Sequence, residues 1–401
     1  MMDSSQQSPD LTGIRVLAAI NGMELFGHER GNIEVFKALR EMGAKVRVGI
    51  NARESGGEVG AHLRFLKFDT FPIPFGAQWS WQWLKKHGPS YALAQFKGVY
   101  SCSGILIQEL QKFQPTHIHL GSELAYSFLS LALRKCSSPL IYRMGDAPPV
   151  DSRFNLPLWK LAMRRSKRIV GISNFVKTEA IRIGIKAESI SVIYNLAPVF
   201  TRATPQFPPN LSDKELALVY VGSVAEHKGL IPLMDAFNEL IRDIPMLRLW
   251  IVGQSADDAD FRKNLIERAQ AAGIDQAITF GGHSQNPDQW YEKASLHLAP
   301  SICDEALGNV VLEAKRSGTP SIVFPSGGLP EVVRHEVDGY VCQEKTAQSL
   351  ASAVRWMLAD EERLEAMGRA AQEDCETRFG RVRFLQQWAD VYQQTLLPYQ
   401  Q

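Results

Sequence analysis

The chain has 401 residues, with 44 Lys and Arg against 43 Asp and Glu, for a net charge of +1. That length exceeds one ordinary core and predicts two domains of about 200 residues each, while the near-balanced charge removes the electrostatic case for nucleic acid as a main partner. The five cysteines, at positions 102, 136, 303, 342 and 375, lack zinc-ligand spacing and read as free thiols of a reducing compartment.

In chain order, residues 1–10 are polar and lack the basic-then-apolar pattern of a signal peptide. No apolar run approaches the roughly 18 residues of a bilayer span. A cytoplasmic protein is expected, with contact to the inner face of a membrane left open. Residues 14–20 form a β-branched apolar run that predicts a buried parallel strand. The loop after it carries Gly22, Gly27 and Gly31. Asn32 is placed to cap a helix whose apolar face is traced by Ile33, Val35, Phe36, Leu39 and Met42. Gly43 ends that helix, and 45–50 is the second strand. Such a βαβ opening sets a glycine-bearing loop over a strand's C-terminal end, where open α/β sheets bind ligands. It lacks G-x-G-x-x-G, so no dinucleotide fingerprint is present.

Residues 71–104 are the least regular and are crowded with aromatics. Trp79, Trp81 and Trp83 alternate and could share one face of a strand. Core packing under an insertion is favoured there over a sugar- or lipid-facing surface. Residues 116–120 predict a strand ending in His119, with Ser122 capping a helix over 123–135. Strands follow at 139–143, with Arg143 and Asp146 at its C-terminal edge, and at 168–172. The basic run 164–168 reads as a solvated helix end. A helix over 174–183 begins at Ser173, and a strand at 191–194 precedes Asn195. Four prolines make 198–209 an interdomain linker.

The pattern then restarts. Strands are predicted at 216–221, 247–252, 278–280 and 321–324, with helices over 230–242, 261–272 and 287–293 between them, and an amphipathic segment over 382–397. Strand–helix alternation of this kind predicts parallel sheets covered by helices on both faces. Between 295 and 318 lies the most informative stretch. A short apolar run is followed by a polar loop with Asp304, Glu305 and Gly308, then by a buried helix containing Val310, Val311, Leu312 and Ala314. A strand, a glycine-bearing loop and a helix N-terminus form an anion site. Glu305 can hydrogen-bond sugar hydroxyls, and Glu313, eight positions on, can accept from a ribose hydroxyl pair. The bland alternative is a surface helix with two solvated glutamates.

The run Glu305-Ala-Leu-Gly-Asn-Val-Val-Leu-Glu313 resembles the Glu, seven residues, Glu signature of the family 4 retaining glycosyltransferases. Pro300-Ser301 before it, and Gly318-Thr319-Pro320 and Gly327-Gly328-Leu329-Pro330-Glu331 after it, carry the same resemblance, which is strongest over 219–341. It implies the α/β GT-B fold, two Rossmann-like domains with parallel sheets facing across a cleft. Residues 1–200 would form the acceptor side and 210–381 the donor-binding domain, with the helix over 382–401 packing back on the first. It further implies transfer of a hexose-type sugar from a nucleotide-diphosphate sugar to a hydroxyl acceptor, whether glycan, lipid or small metabolite. Retention at the anomeric carbon is implied; no cofactor is expected, and no essential divalent metal.

In that reading Lys228 neutralises the diphosphate, Glu305 orients the sugar, Glu313 holds the ribose and His119 contacts the transferred sugar. Gly222, Ser223, Leu307, Gly308, Asn309 and Val310 complete the donor site, and backbone N–H groups of Gly327 and Gly328 share the load. Ser223 stands where the family usually has Arg, one cation fewer. Gly27, Glu29, Arg30, Arg143 and Asp146 fall on the acceptor side, although the loop 26–32 departs from the usual Gly-Gly-x-Glu form. The base would sit in the loops after 252 and 280. Two other readings stay open: a nucleotide-sugar epimerase or phosphorylase on the same fold, and a degenerate, non-catalytic nucleotide-sugar-binding protein.

Overall fold

The structure is a computed structural model. It describes residues 9–77, 79–197, 210–212, 215–254, 259–284 and 286–396. The expected linker, 198–209, lies outside the described residues, as does most of the polar stretch 1–10. The chain divides into two compact units. One takes the chain up to Asn195 and again from Arg381, and the other runs from Leu196 to Gly380.

The first unit begins β1 (Arg15–Ala19), α1 (Gly27–Glu41), β2 (Lys45–Asn51), α2 (Gly57–Phe65), β3 (Asp69–Ile73) and α3 (Trp81–Phe113). It continues β4 (His117–Leu120), α4 (Glu123–Lys135), β5 (Leu140–Met144), α5 (Asn155–Arg165), β6 (Arg168–Gly171), α6 (Asn174–Arg182) and β7 (Ile190–Val192). Its strands pair in parallel in the order β3-β2-β1-β4-β5-β6-β7. Val16, Leu17, Ala18 and Ala19 are all buried, as a sheet covered on both faces requires.

The second unit holds β8 (Leu216–Val221), α7 (Leu230–Asp243), β9 (Leu247–Val252), α8 (Ala259–Ala271), β10 (Ile278–Gly282), α9 (Asp288–Lys293) and β11 (Leu296–Ala299). It ends with α10 (Asn309–Arg316), β12 (Ser321–Val323), α11 (Leu329–Val332), β13 (Gly339–Val341), α12 (Ala347–Leu358) and α13 (Glu361–Arg378). The strand order is β10-β9-β8-β11-β12-β13, again parallel. Alternate residues of β8 serve opposite faces. Leu218 and Tyr220 join the core with Leu233, Phe237 and Leu240 of α7, while Ala217 and Val219 pack with Trp250, Trp290 and Tyr291.

The last helix, α14 (Arg381–Leu396), belongs to the first unit. Two histidines on one face of β4 hold it. His117 Nε2 lies 2.9 Å from Thr395 Oγ1, and His119 Nδ1 lies 2.7 Å from the Tyr392 hydroxyl. Arg381 pairs with Glu41 of α1.

Two local expectations are corrected. Helix α1 begins at Gly27, so Asn32 is not its cap; it is buried inside the helix and its Nδ2 donates to the His28 carbonyl at 3.1 Å. The tryptophan-rich stretch is helical from Trp81 on rather than extended throughout. Ser80 Oγ accepts from Trp83 N at the start of α3, which breaks at Gly88 and runs on to Phe113. Three alternating residues were too short a sample to establish a period of two. The burial of Gln95, Cys102 and Leu106, seven and four positions apart, is helical. Ser122 and Ser173 do cap α4 and α6.

Candidate functional site

In each sheet the strand order reverses once, between β1 and β4 and between β8 and β11. Ligands of open α/β sheets bind outside the strands' carboxyl ends at such points. In the second unit, the loops after β8 and β11 meet there. Gly229, at φ +77°, ends the first, and a Cβ on it would lie 1.7 Å from the Pro300 carbonyl oxygen, so only glycine lets the two loops touch. The His227 carbonyl accepts from Ile302 N at 3.0 Å.

This contact brings Lys228 to Glu305. The ammonium lies 2.6 Å from Glu305 Oε1, which also accepts from Ser301 Oγ at 2.6 Å. Ser326 Oγ donates to the Ser301 carbonyl, and Gly328 N donates to the Glu305 carbonyl at 2.7 Å. Gly327 can pass beneath only because it has no Cβ, which would lie 2.3 Å from that same carbonyl. Lys345 Nζ holds the far side of the loop through the Ile302 carbonyl at 2.8 Å and Asp304 at 3.4 Å. The carboxylate of Glu305 is thus held by the Lys228 ammonium and by one hydroxyl, on a backbone itself fixed by Gly328, while a quarter of its side chain remains accessible.

Helix α10 follows from Gly308. Leu307 is buried, and Asn309 and Val310 open the first turn. Glu313 is buried and accepts from the Tyr291 hydroxyl at 3.1 Å. Burial, with the Glu313 charge next in importance, holds the Tyr291 hydroxyl protonated far above its usual range, so it remains a donor. Lys315, also buried, anchors the helix from behind, 2.8 Å from Asp338 and 2.6 Å from Asp374. At the end of β8, Gly222 N donates to the Val252 carbonyl at 3.0 Å and the Ser223 carbonyl accepts from the Tyr220 hydroxyl at 2.7 Å.

In the first unit the switch point opens into a cavity of about 330 Å³, lined among others by Asn21, His28, Glu29, Ser122, Tyr142 and Asp146. Burial raises the Glu29 carboxyl above its usual value, opposed chiefly by His28. His28 Nδ1 lies 3.6 Å from Asp146 Oδ2. Arg143 is buried, with Nη2 donating to Asn195 Oδ1 at 2.7 Å, and burial lowers its guanidinium to about 10. Gly27 opens α1 just before the lining residues His28 and Glu29 but does not itself line the cavity, and Arg30 turns back to the Leu25 carbonyl at 2.9 Å and does not line it.

His119 is corrected. It sits on β4 but faces the core, 1% exposed, between Phe36, Trp388 and Tyr392. Burial lowers its imidazole to about 3. It supports α14 and does not line the cavity. A second correction concerns Gly328, whose N–H is committed to Glu305 and is not offered to a ligand. Sequence reasoning noted Ser301 only as a motif neighbour and overlooked its bond to Glu305. It also missed His28 and Tyr142, although they stand next to the expected Gly27, Glu29 and Arg143, and Lys345 and Tyr291, which stand in no local pattern with the site.

The family described as Glycosyltransferase Family 4 matches residues 27–197, and that described as Glycosyl transferases group 1 matches 202–374. The chain is similar to the lipopolysaccharide 1,2-N-acetylglucosaminetransferase of Salmonella typhimurium, at 29% identity over 38% of this chain and 42% of that protein. It is similar to the N-acetyl-alpha-D-glucosaminyl L-malate synthase of Bacillus anthracis, at 24% identity over 63% of this chain and 65% of the relative. The chain thus spans less than two thirds of the length of these curated relatives. Among solved structures, Anabaena HepE in complex with UDP and glucose shares the fold, with a TM-score of 0.75 at 21% identity over 95% of this chain and 99% of that one.

Proposed function

The chain belongs to the group 1 and family 4 glycosyltransferases, and on that premise we propose that it moves a hexose-type sugar from a nucleotide-diphosphate sugar to a hydroxyl acceptor, with retention. One observation carries the reading: the Lys228–Glu305 pair, 2.6 Å apart, stands at the switch point of a parallel sheet beside the start of α10. An ammonium there suits a diphosphate, and a carboxylate held by Ser301 suits sugar hydroxyls. The relatives are named for transfer of an amino sugar and for a glucosaminyl product, and the solved neighbour holds UDP and glucose. These support a nucleotide sugar as donor.

The diphosphate takes over Lys228, and Glu305 turns from its ion pair to the sugar. Glu313, beside Tyr291, accepts from the ribose hydroxyls. The acceptor oxygen bonds to the anomeric carbon on the face the phosphate leaves. The C–O bond to the β-phosphate breaks, and the departing oxygen takes the acceptor's proton. Lys228 neutralises the charge that develops there. Both glutamates bind; neither plays the acid or nucleophile of a hydrolase. In the first unit, the cavity with Glu29, Ser122 and Asp146 offers hydrogen bonds to acceptor hydroxyls. The five unpaired cysteines favour a reducing compartment.

A panel of nucleoside diphosphates and their sugars, read by thermal shift and then by mass spectrometry of products with candidate acceptors, tests this. Acceptor-dependent release of a nucleoside diphosphate with a new glycoside supports it. An altered donor without acceptor indicates an epimerase, and binding without turnover indicates a non-catalytic protein. Metal independence is tested with EDTA: a rate lost and restored by Mn²⁺ would move the cationic role from Lys228 to a metal ion held by acidic residues.

A further inference from the structure

Helix α3 has an unusual outer face. Its inner face, with Gln95, Gly98, Cys102 and Ser103, packs toward α4, where Ser103 Oγ donates to the Phe128 carbonyl. A solvent-facing helix surface is ordinarily polar. Here Leu93, Phe96 and Tyr100 line it at three- and four-residue spacing, with Phe96 65% and Tyr100 77% exposed. Trp83, on the first turns before the break at Gly88, is exposed as well. Three large apolar side chains in one exposed row mark an interaction surface rather than scatter.

The charge along this segment has one sign. From Thr70 to Gln108 the chain has no Asp or Glu, while Lys85, Lys86 and Lys97 lie among the aromatics. Lys86 Nζ stands 6.0 Å from the Trp83 ring. We propose that the outer face of α3 docks on a bilayer rich in anionic lipid. Aromatic and aliphatic side chains on a helix lying in the interface, flanked by lysines that meet lipid phosphates, are what such a surface binds. An acidic protein segment would share the charge but would not ask for Leu93, Phe96 and Tyr100 to stand in an open row. The inference does not depend on the proposed transfer reaction.

The test uses the full chain and sedimentation with vesicles of phosphatidylglycerol and phosphatidylcholine, against vesicles of phosphatidylcholine alone. Two variants are compared at unchanged circular dichroism: one carries Leu93→Ser, Phe96→Ser and Tyr100→Ser, the other Lys85→Gln, Lys86→Gln and Lys97→Gln. Binding to the anionic vesicles is expected. It should fall more than tenfold in the first variant, and by about fivefold per lysine in the second. No binding to anionic vesicles, or equal binding by the first variant, overturns the proposal. So does a wild-type dimer that the first variant dissolves while vesicle binding is absent, which would make the face a self-interface. Binding of polyglutamate in preference to vesicles would assign it to an acidic protein.

Discussion

The Lys228 ammonium meets the Glu305 carboxylate at 2.6 Å across 77 positions of sequence. In the free protein each neutralises the other, and both keep about a quarter of their side-chain surface. Such a partly exposed pair contributes only about 0–1 kcal/mol to stability. Folding therefore depends little on the pair, and in the proposed reading its position at the sheet's switch point serves ligand chemistry.

Glu305→Ala separates the two roles. Lys228 loses its internal partner but remains at the loop contact, so nucleoside diphosphate binding should persist. Sugar transfer should fall by about 10²–10³-fold, the scale of losing one preorganised polar group at a reacting centre. Titration calorimetry and turnover measured on the same preparation check this. Unaltered turnover contradicts the role.

Gly229→Ala strikes the contact itself. The backbone there is left-handed and the added methyl would meet the Pro300 carbonyl. A loss of roughly 1–3 kcal/mol is expected from strain at such a site, together with loss of transfer, since both loops must move apart. Denaturant unfolding gives the first quantity. A fully stable, fully active variant would mean the loops need not touch.

Lys315→Met removes a fully buried cation and leaves Asp338 and Asp374 facing each other, with Arg334 and Arg378 at their edge. Breaking one side of a buried charge cluster costs about 3–5 kcal/mol. The melting temperature should drop sharply. A drop no larger than that of an exposed lysine would show that the arginines alone hold α10.

Three buried histidines set an acid limit. Burial holds His117 near 4, and His119 and His297 near 3. The unfolded chain takes up these protons from about pH 6.5 downward. Between there and pH 3–4 the unfolded state binds more protons than the folded one, so stability is full above pH 6.5 and falls as pH drops through that window. Melting curves from pH 7.5 to 4.5 should show a steady decline. A flat profile would place these imidazoles in water. His119→Gln should likewise lower stability while leaving KM for donor little changed, because His119 supports α14.

Much of this fold was legible because buried parallel strands are short apolar runs between glycines. Leu216–Val221 and Leu247–Val252 coincide with their predicted bounds. Ser122 and Ser173 announced their helices by their own side chains. The failures have a common cause. Whether His119 faces ligand or core depends on α14, more than 260 positions away, and no local spacing records that. The tryptophans at 79, 81 and 83 fit period two only because three residues cannot distinguish it from a helix start. In the candidate site, Glu305 and Glu313 stood out through the family resemblance carried by the residues around them, since two glutamates eight apart are common by chance, whereas the partners Lys345 and Tyr291 are brought in by tertiary packing alone.

The central claim is that the loops after β8 and β11 grip a nucleoside diphosphate through Lys228. Titration calorimetry of wild type and Lys228→Ala with UDP, GDP and ADP measures it directly. At least one nucleotide should bind the wild type and lose about tenfold or more in the variant, in line with loss of a charge-assisted contact worth about 1.5–3 kcal/mol. Binding of none of the three, or equal affinity in the two proteins, would contradict it.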